Sequence, residues 1–241
     1  MHPSTGTSQI PRRGFLSFSA LLGGAMIGGW FSWPPRKSHA STGTSWLWQQ
    51  EEELISLPEP VLDGEMSLER ALSLRRSVRN FTDEALTMEQ LSQLLWAAQG
   101  VTGKAGRRTA PSAWASYPLD IYVVENDKKY HYLPRDHALE LQLTAENLQR
   151  DLSNAAEGQT VVAEASLALV ITGDKLRVSL REDFGIQEVG HAAQNLLLQA
   201  VALGLGAVPV GSMDRAKVQQ VLQLPERHMP YTVIPVGHPA A

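Results

Sequence analysis

The sequence predicts one α+β domain behind an export segment, and three observations lead there. Apolar spacing switches between helical and strand periods in an irregular order rather than in a regular βαβ rhythm. Two strand-like runs at residues 119–124 and 130–133 flank Asn126-Asp127 and read as a hairpin. The 241 residues, 43% hydrophobic and 19% charged, hold enough apolar mass for one sizeable core.

Residues 1–40 stand outside that domain. Arg12-Arg13 precede Gly14-Phe15-Leu16, an apolar stretch runs to Trp33, and Pro34-Pro35, Arg36-Lys37 and Ser38-His39-Ala40 follow. A basic start, an apolar middle and small residues before a cut form an export signal. The pattern is similar to a twin-arginine signal cleaved after Ala40, which carries folded proteins to the periplasm. The alternatives are an uncleaved membrane anchor through residues 14–33, since about twenty helical residues span roughly 30 Å, and a chance basic tail.

Residues 41–66 read as a lead-in arm, and the domain proper is residues 67–241. Ser67 caps a helix expected to run to about Arg76. Thr87 and Gln90 form a capping-box pair before Leu91, Leu94, Leu95 and Ala98, and Gly100 ends that helix. Residues 101–118 make a Gly/Arg/Pro/Ser loop of the length that is usually functional. After the hairpin, residues 137–152 are expected to be an amphipathic helix and residues 166–172 a buried strand. The longest apolar helix is expected over residues 187–203, ended by Gly204 and Gly206. Its Ala192, Ala193 and Ala200 form a small-residue face suited to packing against a symmetry mate. Residues 207–210 form a strand, Asp214 caps a helix to Leu222, and residues 231–236 are the last strand.

Composition narrows the function. The formal charge is -4, but the first forty residues carry four basic side chains and no acid, leaving 17 basic against 25 acidic ones beyond them. Such an acidic body argues against a nucleic-acid surface. With no cysteine, thiol catalysis, iron–sulfur clusters and thiolate zinc sites drop out. The seven histidines show no metal-ligand spacing, so no metal is expected. Gly204-Leu205-Gly206 follows a helix rather than a strand, which disfavours a Rossmann nicotinamide domain.

Three segments carry a family resemblance. They are Arg75-Arg76-Ser77-Val78-Arg79-Asn80-Phe81, then Ala110-Pro111-Ser112-Ala113 closing with Tyr117-Pro118, then Glu188-Val189-Gly190-His191-Ala192-Ala193-Gln194-Asn195 leading to Pro209-Val210-Gly211. In this order and spacing the chain resembles the nitroreductase family, in particular its branch of SagB-type dehydrogenases. The resemblance covers residues from about 65 onward. It implies an α+β homodimer with a central, mainly antiparallel sheet flanked by helices, and FMN held in sites shared between subunits.

The site residues follow. FMN carries a phosphate that demands charge-assisted donors. Arg75 and Arg79, four apart on a helical end, would project from one face with Ser77 between them. The resemblance gives Arg75, Arg76, Ser77 and Arg79 the phosphate and ribityl chain. It brings Pro111, Ser112 and Ala113 to the flavin of the second subunit. Ala115 stands where the family often has an asparagine, and the bulky Trp114 before it is a candidate for shaping the substrate face. Pro209, Val210, Gly211 and Ser212 match the segment whose backbone N–H groups face the ring, stabilising the reduced anion as an oxyanion hole would. Gln194 is a further contact, whereas His191 reads as a partly buried helical histidine. Many members carry a further basic segment after the last strand. Here His238, with Arg107 and Arg108, is the candidate replacement.

The implied activity is a two-step transfer from NAD(P)H or a redox partner to a small organic acceptor. The flavin performs the chemistry, so no catalytic side chain is nominated. Azoline dehydrogenation on peptides is disfavoured, because Lys175-Leu176-Arg177-Val178 lacks the tyrosine that typically follows the lysine in SagB proteins. Flavin breakdown, reductive dehalogenation and a non-enzymatic flavin-binding role remain alternatives.

Overall fold

In the computed structural model, residues 54–178 and 182–240 are described. They run as β1 (Leu54–Ser56), α1 (Leu68–Leu74), α2 (Met88–Gln99), β2 (Leu119–Glu125), β3 (Lys128–Leu133) and β4 (Ala138–Thr144). After these come α3 (Leu148–Ala155), α4 (Thr160–Glu164), β5 (Leu167–Asp174), α5 (Lys175–Val178) and α6 (Glu182–Ala202). The chain finishes with β6 (Gly206–Ala207), α7 (Arg215–Val221) and β7 (His228–Gly237). The expected export signal and the arm before Leu54 lie outside the described residues.

The strands form one sheet in the order β1-β4-β3-β2-β5-β7-β6, with every neighbouring pair antiparallel. Every residue of the central β5 is buried, so both faces of the sheet are covered there. Side chains alternate across a strand, and the two cores follow that alternation. Leu167, Leu169 and Ile171 join Leu119, Ile121 and Val123 of β2 on one face, against Leu94, Leu95 and Ala98 of α2 and Leu196 of α6. Ala168 and Val170 join Tyr122 and Val124 on the other, against Leu152 of α3 and Val218 and Leu222 at α7. Each fully buried leucine truncated to alanine here would cost about 2–5 kcal/mol.

Local signals place the helix starts. Ser67 accepts from the Arg70 N–H, Asp214 accepts from the Lys217 N–H, and Thr87 and Gln90 make both bonds of the capping box. The hairpin turns at Asn126, which adopts φ 52°. From Leu54 the arm adds a short edge strand to β4, and the Val61 backbone exchanges hydrogen bonds of 2.8 and 3.0 Å with the Gln93 amide of α2.

Two expectations are corrected. Residues 137–152 are not one helix: the first half is strand β4, and only Leu148 onward is helical. Leu139, Leu141 and Leu143 alternate with polar residues at the strand period of two. The small-residue face of α6 does not look outward either. Ala192, Ala193 and Ala200 are buried within the chain's own core beside α2. The close approach that alanines permit is used inside the subunit.

Candidate functional site

The expected helix over the arginine segment stops short. α1 ends at Leu74, and Arg75 is its C-cap with ψ 121°, so residues beyond it leave the helix. Arg75 and Arg79 therefore do not share a helical face as residues four apart would. At Ser77 the backbone joins Ala207 as an isolated parallel bridge, with the Val78 N–H donating to the Ala207 carbonyl at 3.1 Å. In extended chain, residues two apart share a side, which groups Arg75, Ser77 and Arg79 and separates Arg76. The Arg76 guanidinium folds back on the carbonyls of Ser73 (3.1 Å) and Arg75 (2.8 Å) at the helix end. Arg75 is half-buried and Arg79 exposed, and neither guanidinium has an ion-pair partner among the described residues.

Two glycines let this segment press against the sheet. A Cβ on Gly206 would lie 2.6 Å from Val78 Cγ1, and one on Gly237 would lie 2.9 Å from the Phe81 ring. Beyond them, Thr82 N–H donates to the His238 carbonyl at 2.9 Å and Ala240 N–H to the Asn80 carbonyl at 3.0 Å. The His238 imidazole itself faces Glu84, with Nε2 3.7 Å from the carboxylate.

The same edge carries the 209–212 segment. Val210 is pinned to β7 by reciprocal bonds with Val233 of 2.8 and 3.0 Å, and its carbonyl also accepts from Thr232 Oγ1. Pro209, Gly211 and Ser212 are exposed, and a Cβ added at Gly211 would meet nothing. The N–H groups of Gly211 and Ser212 donate to no acceptor among the described residues. The Ser212 hydroxyl donates to Glu157 at 2.5 Å, so it is occupied. The structure thus brings Arg75, Ser77, Arg79 and the 209–212 backbone to one end of the sheet.

The 111–113 loop is fixed elsewhere, by α6. Glu188 is 5% exposed, and its Oε1 accepts from Ser112 Oγ at 3.0 Å and from the Ala113 N–H at 2.9 Å. Ser112 Oγ in turn accepts from the Tyr117 N–H at 2.8 Å. Held this way, the loop keeps three non-glycine residues in the left-handed region: Trp114 at φ 52°, Ala115 at 54° and Tyr117 at 44°. Such conformations cost on the order of 1–3 kcal/mol each and persist where their surroundings enforce them. Trp114 is 73% exposed and meets Phe184 edge-on at 5.5 Å. No hydrogen bond or ion pair joins this loop to the arginine segment among the described residues. Gln194 lies exposed on α6 six residues after Glu188, and His191 is exposed rather than partly buried. Arg108 lies apart from the arginine segment, bonded to Gln99 at 2.8 Å.

Sequence reasoning missed Glu188 although it stands in a quoted motif. The signal was an acid at the start of an apolar helix, which must find donors if buried. Gly206 and Gly237 were also missed as contact points, because the close approach depends on distant Val78 and Phe81.

Comparisons with known proteins converge. The sequence profile of the Nitroreductase family matches residues 72–238. A nitroreductase-like protein of Methanocaldococcus jannaschii is 38% identical over 184 residues, 72% of this chain and 91% of its own. A crystal structure of a nitroreductase-like protein from Ralstonia eutropha is 37% identical, with a TM-score of 0.72 over 79% of this chain and 91% of that one. Another, from Desulfovibrio desulfuricans in complex with FMN, is 27% identical, with a TM-score of 0.59 over 73% and 88%. The residues present fit that cofactor: two unpaired guanidinium groups match a phosphate, and two free backbone N–H groups match an electron-rich ring edge. The chain belongs to the nitroreductase family and is an oxidoreductase of that type.

Proposed function

We propose that this oxidoreductase passes electrons in two half-reactions from NAD(P)H or a redox partner to a small organic acceptor, as an exported homodimer with shared FMN sites. The pair of unpartnered N–H groups at Gly211 and Ser212, at the same sheet end as the unpaired Arg79, is the observation that carries this reading. FMN, when bound, supplies the reversible two-electron chemistry. Arg75, Ser77 and Arg79 bind its phosphate and ribityl oxygens, with Arg76 closing the helix end behind them and His238 at the margin. The Gly211 and Ser212 backbone, set in place by Pro209 and Val210, stabilises negative charge at the ring edge. Pro111, Ser112 and Ala113 cover the flavin of the partner, and Gln194 lies beside it. Trp114 lines the face on which donor and acceptor alternate.

An outward groove of about 710 Å³ supports the dimer. Leu62, Leu68, Trp96 and Leu198 line it from the arm, α1, α2 and α6, and Leu62 and Leu68 are exposed. Exposed leucines gathered in a groove, here beside polar side chains such as Glu65, Glu89 and Asn195, favour an interaction site. Export rests on the paired Arg12 and Arg13, and the SagB-type branch on the three motifs, with the azoline reaction disfavoured by the sequence after Lys175.

Anaerobic rapid mixing of the purified holoprotein with NADH, NADPH, a reduced quinone and dithionite tests the activity. Bleaching by one physiological donor, reversed by a nitroaromatic or quinone, is expected. Bleaching by dithionite alone would leave a flavin-binding protein without this activity.

A further inference from the structure

A second cavity, of about 480 Å³, opens between residues 101–117, the far end of the β2–β3 hairpin and α5. Its volume falls in the range of about 300–1,000 Å³ typical of small-molecule sites. Arg108, Arg135 and Arg177 line it, against Asp120 and Asp136. Not all of these charges are available. Arg177 is taken by Asp174 at 3.3 Å and by the Tyr117 carbonyl at 3.2 Å. Asp120 is turned inward: Oδ1 holds His131 at 3.1 Å, and the buried Oδ2 faces His228 Nε2 at 3.6 Å.

Arg108 differs. It is half-buried, its guanidinium bonded to Gln99 Oε1 at 2.8 Å and lying 4.9 Å over the Tyr117 ring. No carboxylate lies within ion-pairing distance of it among the described residues. Burial lowers its pKa below the ordinary arginine value, and Asp120 opposes this only at longer range. A partly desolvated cation with neutral partners alone is costly unless an anion completes it. With Arg177 paired to Asp174, Arg108 and Arg135 face Asp120 and Asp136 and the lining charges balance, but neither carboxylate reaches the Arg108 guanidinium. Val101, Leu133, Pro134 and Tyr132 form an apolar and aromatic part of the wall, with Ser116 and His131 beside it.

We propose that this cavity binds a small organic monocarboxylate, its carboxylate on Arg108 and Arg135 and its apolar body against Leu133 and Pro134. The one half-buried guanidinium without a carboxylate favours a monoanion over the more highly charged phosphate, and Leu133 and Pro134 favour an organic body over an inorganic ion. The cavity shares the 111–117 loop with the proposed flavin site, but Arg108 and Arg135, on which the inference rests, are not among the flavin contacts proposed above.

Isothermal titration of the full-length holoprotein with benzoate, benzamide and inorganic phosphate tests it. Benzoate should bind once per chain, with benzamide and phosphate at least about tenfold weaker. Arg108→Gln and Arg135→Gln should each weaken benzoate about tenfold or more. Arg135 is exposed, so its variant keeps the far-UV spectrum and flavin content and separates lost binding from lost folding. Absence of benzoate binding to about 10 mM, equal binding of benzamide, tighter binding of phosphate, or a titration unchanged in Arg135→Gln would each overturn the proposal.

Discussion

Replacing Glu188 with alanine removes the buried acceptor that holds the 111–117 loop. Both loop bonds end on the same oxygen, at 3.0 and 2.9 Å. Hydrogen bonds to a charged group contribute about 1.5–3 kcal/mol each, and shared use of one oxygen brings the pair to roughly 3 kcal/mol. Glu188→Gln keeps an oxygen able to accept both and loses mainly the charge, so about 1 kcal/mol is expected. The loss has a specific place. Without Glu188, the left-handed conformations at Trp114, Ala115 and Tyr117 are no longer enforced, and the loop relaxes. Urea unfolding gives the two stabilities, and amide exchange reads the Ala113 and Tyr117 N–H groups directly. Alanine should destabilise more than glutamine and speed exchange at both amides, while β5 amides keep their protection relative to global stability. Wild-type stability in Glu188→Ala, or protected loop amides, would refute the anchoring role.

Further outcomes follow from other parts of the molecule. Lys129 is buried, donates to the Leu222 carbonyl at 2.8 Å, and has its pKa pushed down to about 8 by burial. Because its folded pKa lies below the unfolded value, the unfolded chain binds more protons above pH 8. Stability contributed by this group therefore rises from pH 8 to about 9.5, by on the order of 1–2 kcal/mol. Above that window Tyr122 and Tyr132, whose pKa values burial raises, begin to oppose it. Urea unfolding at several pH values should show the rise in wild type and lose it in Lys129→Met; a rise that persists in the variant would contradict the assignment. Leu68→Glu puts an acid in the first turn of α1, where a helix tolerates it, and into the proposed dimer groove. Sedimentation equilibrium at protein and flavin wavelengths should show monomer and lost flavin together, whereas a fully yellow wild-type monomer would refute the shared site. Ala193→Glu, by contrast, should unfold the subunit itself, because Ala193 is buried in its core. Arg12→Lys with Arg13→Lys should retain the precursor in the cytoplasm; an unchanged periplasmic yield would exclude the twin-arginine route.

The parts legible in the sequence are those decided locally. Ser67, Thr87 with Gln90, and Asp214 announce helix starts because the caps are made within three residues. The apolar run of β5 announces a strand covered on both faces. Misreadings arose where distant neighbours decide. Leu139, Leu141 and Leu143 satisfy a strand period, yet β4 is set by its partners β3 and β1. Ala192, Ala193 and Ala200 record a close helix contact without saying whether it lies inside or between subunits. The arginine motif is legible as a cluster of cations, but its geometry comes from the bridge to Ala207 and from Gly206, more than a hundred residues away. Glu188 shows the same limit, since its donors lie 75 and 76 residues upstream.

The central claim is that the 75–79 segment holds the flavin phosphate. Fluorescence titration of the apoprotein with FMN, comparing wild type with Arg79→Ala, tests it most directly. Arg79 is exposed and makes no ion pair among the described residues, so its loss should leave folding intact. Removing one charge-assisted contact should raise the FMN dissociation constant about ten- to a hundredfold. An unchanged constant in a correctly folded Arg79→Ala protein would contradict the account.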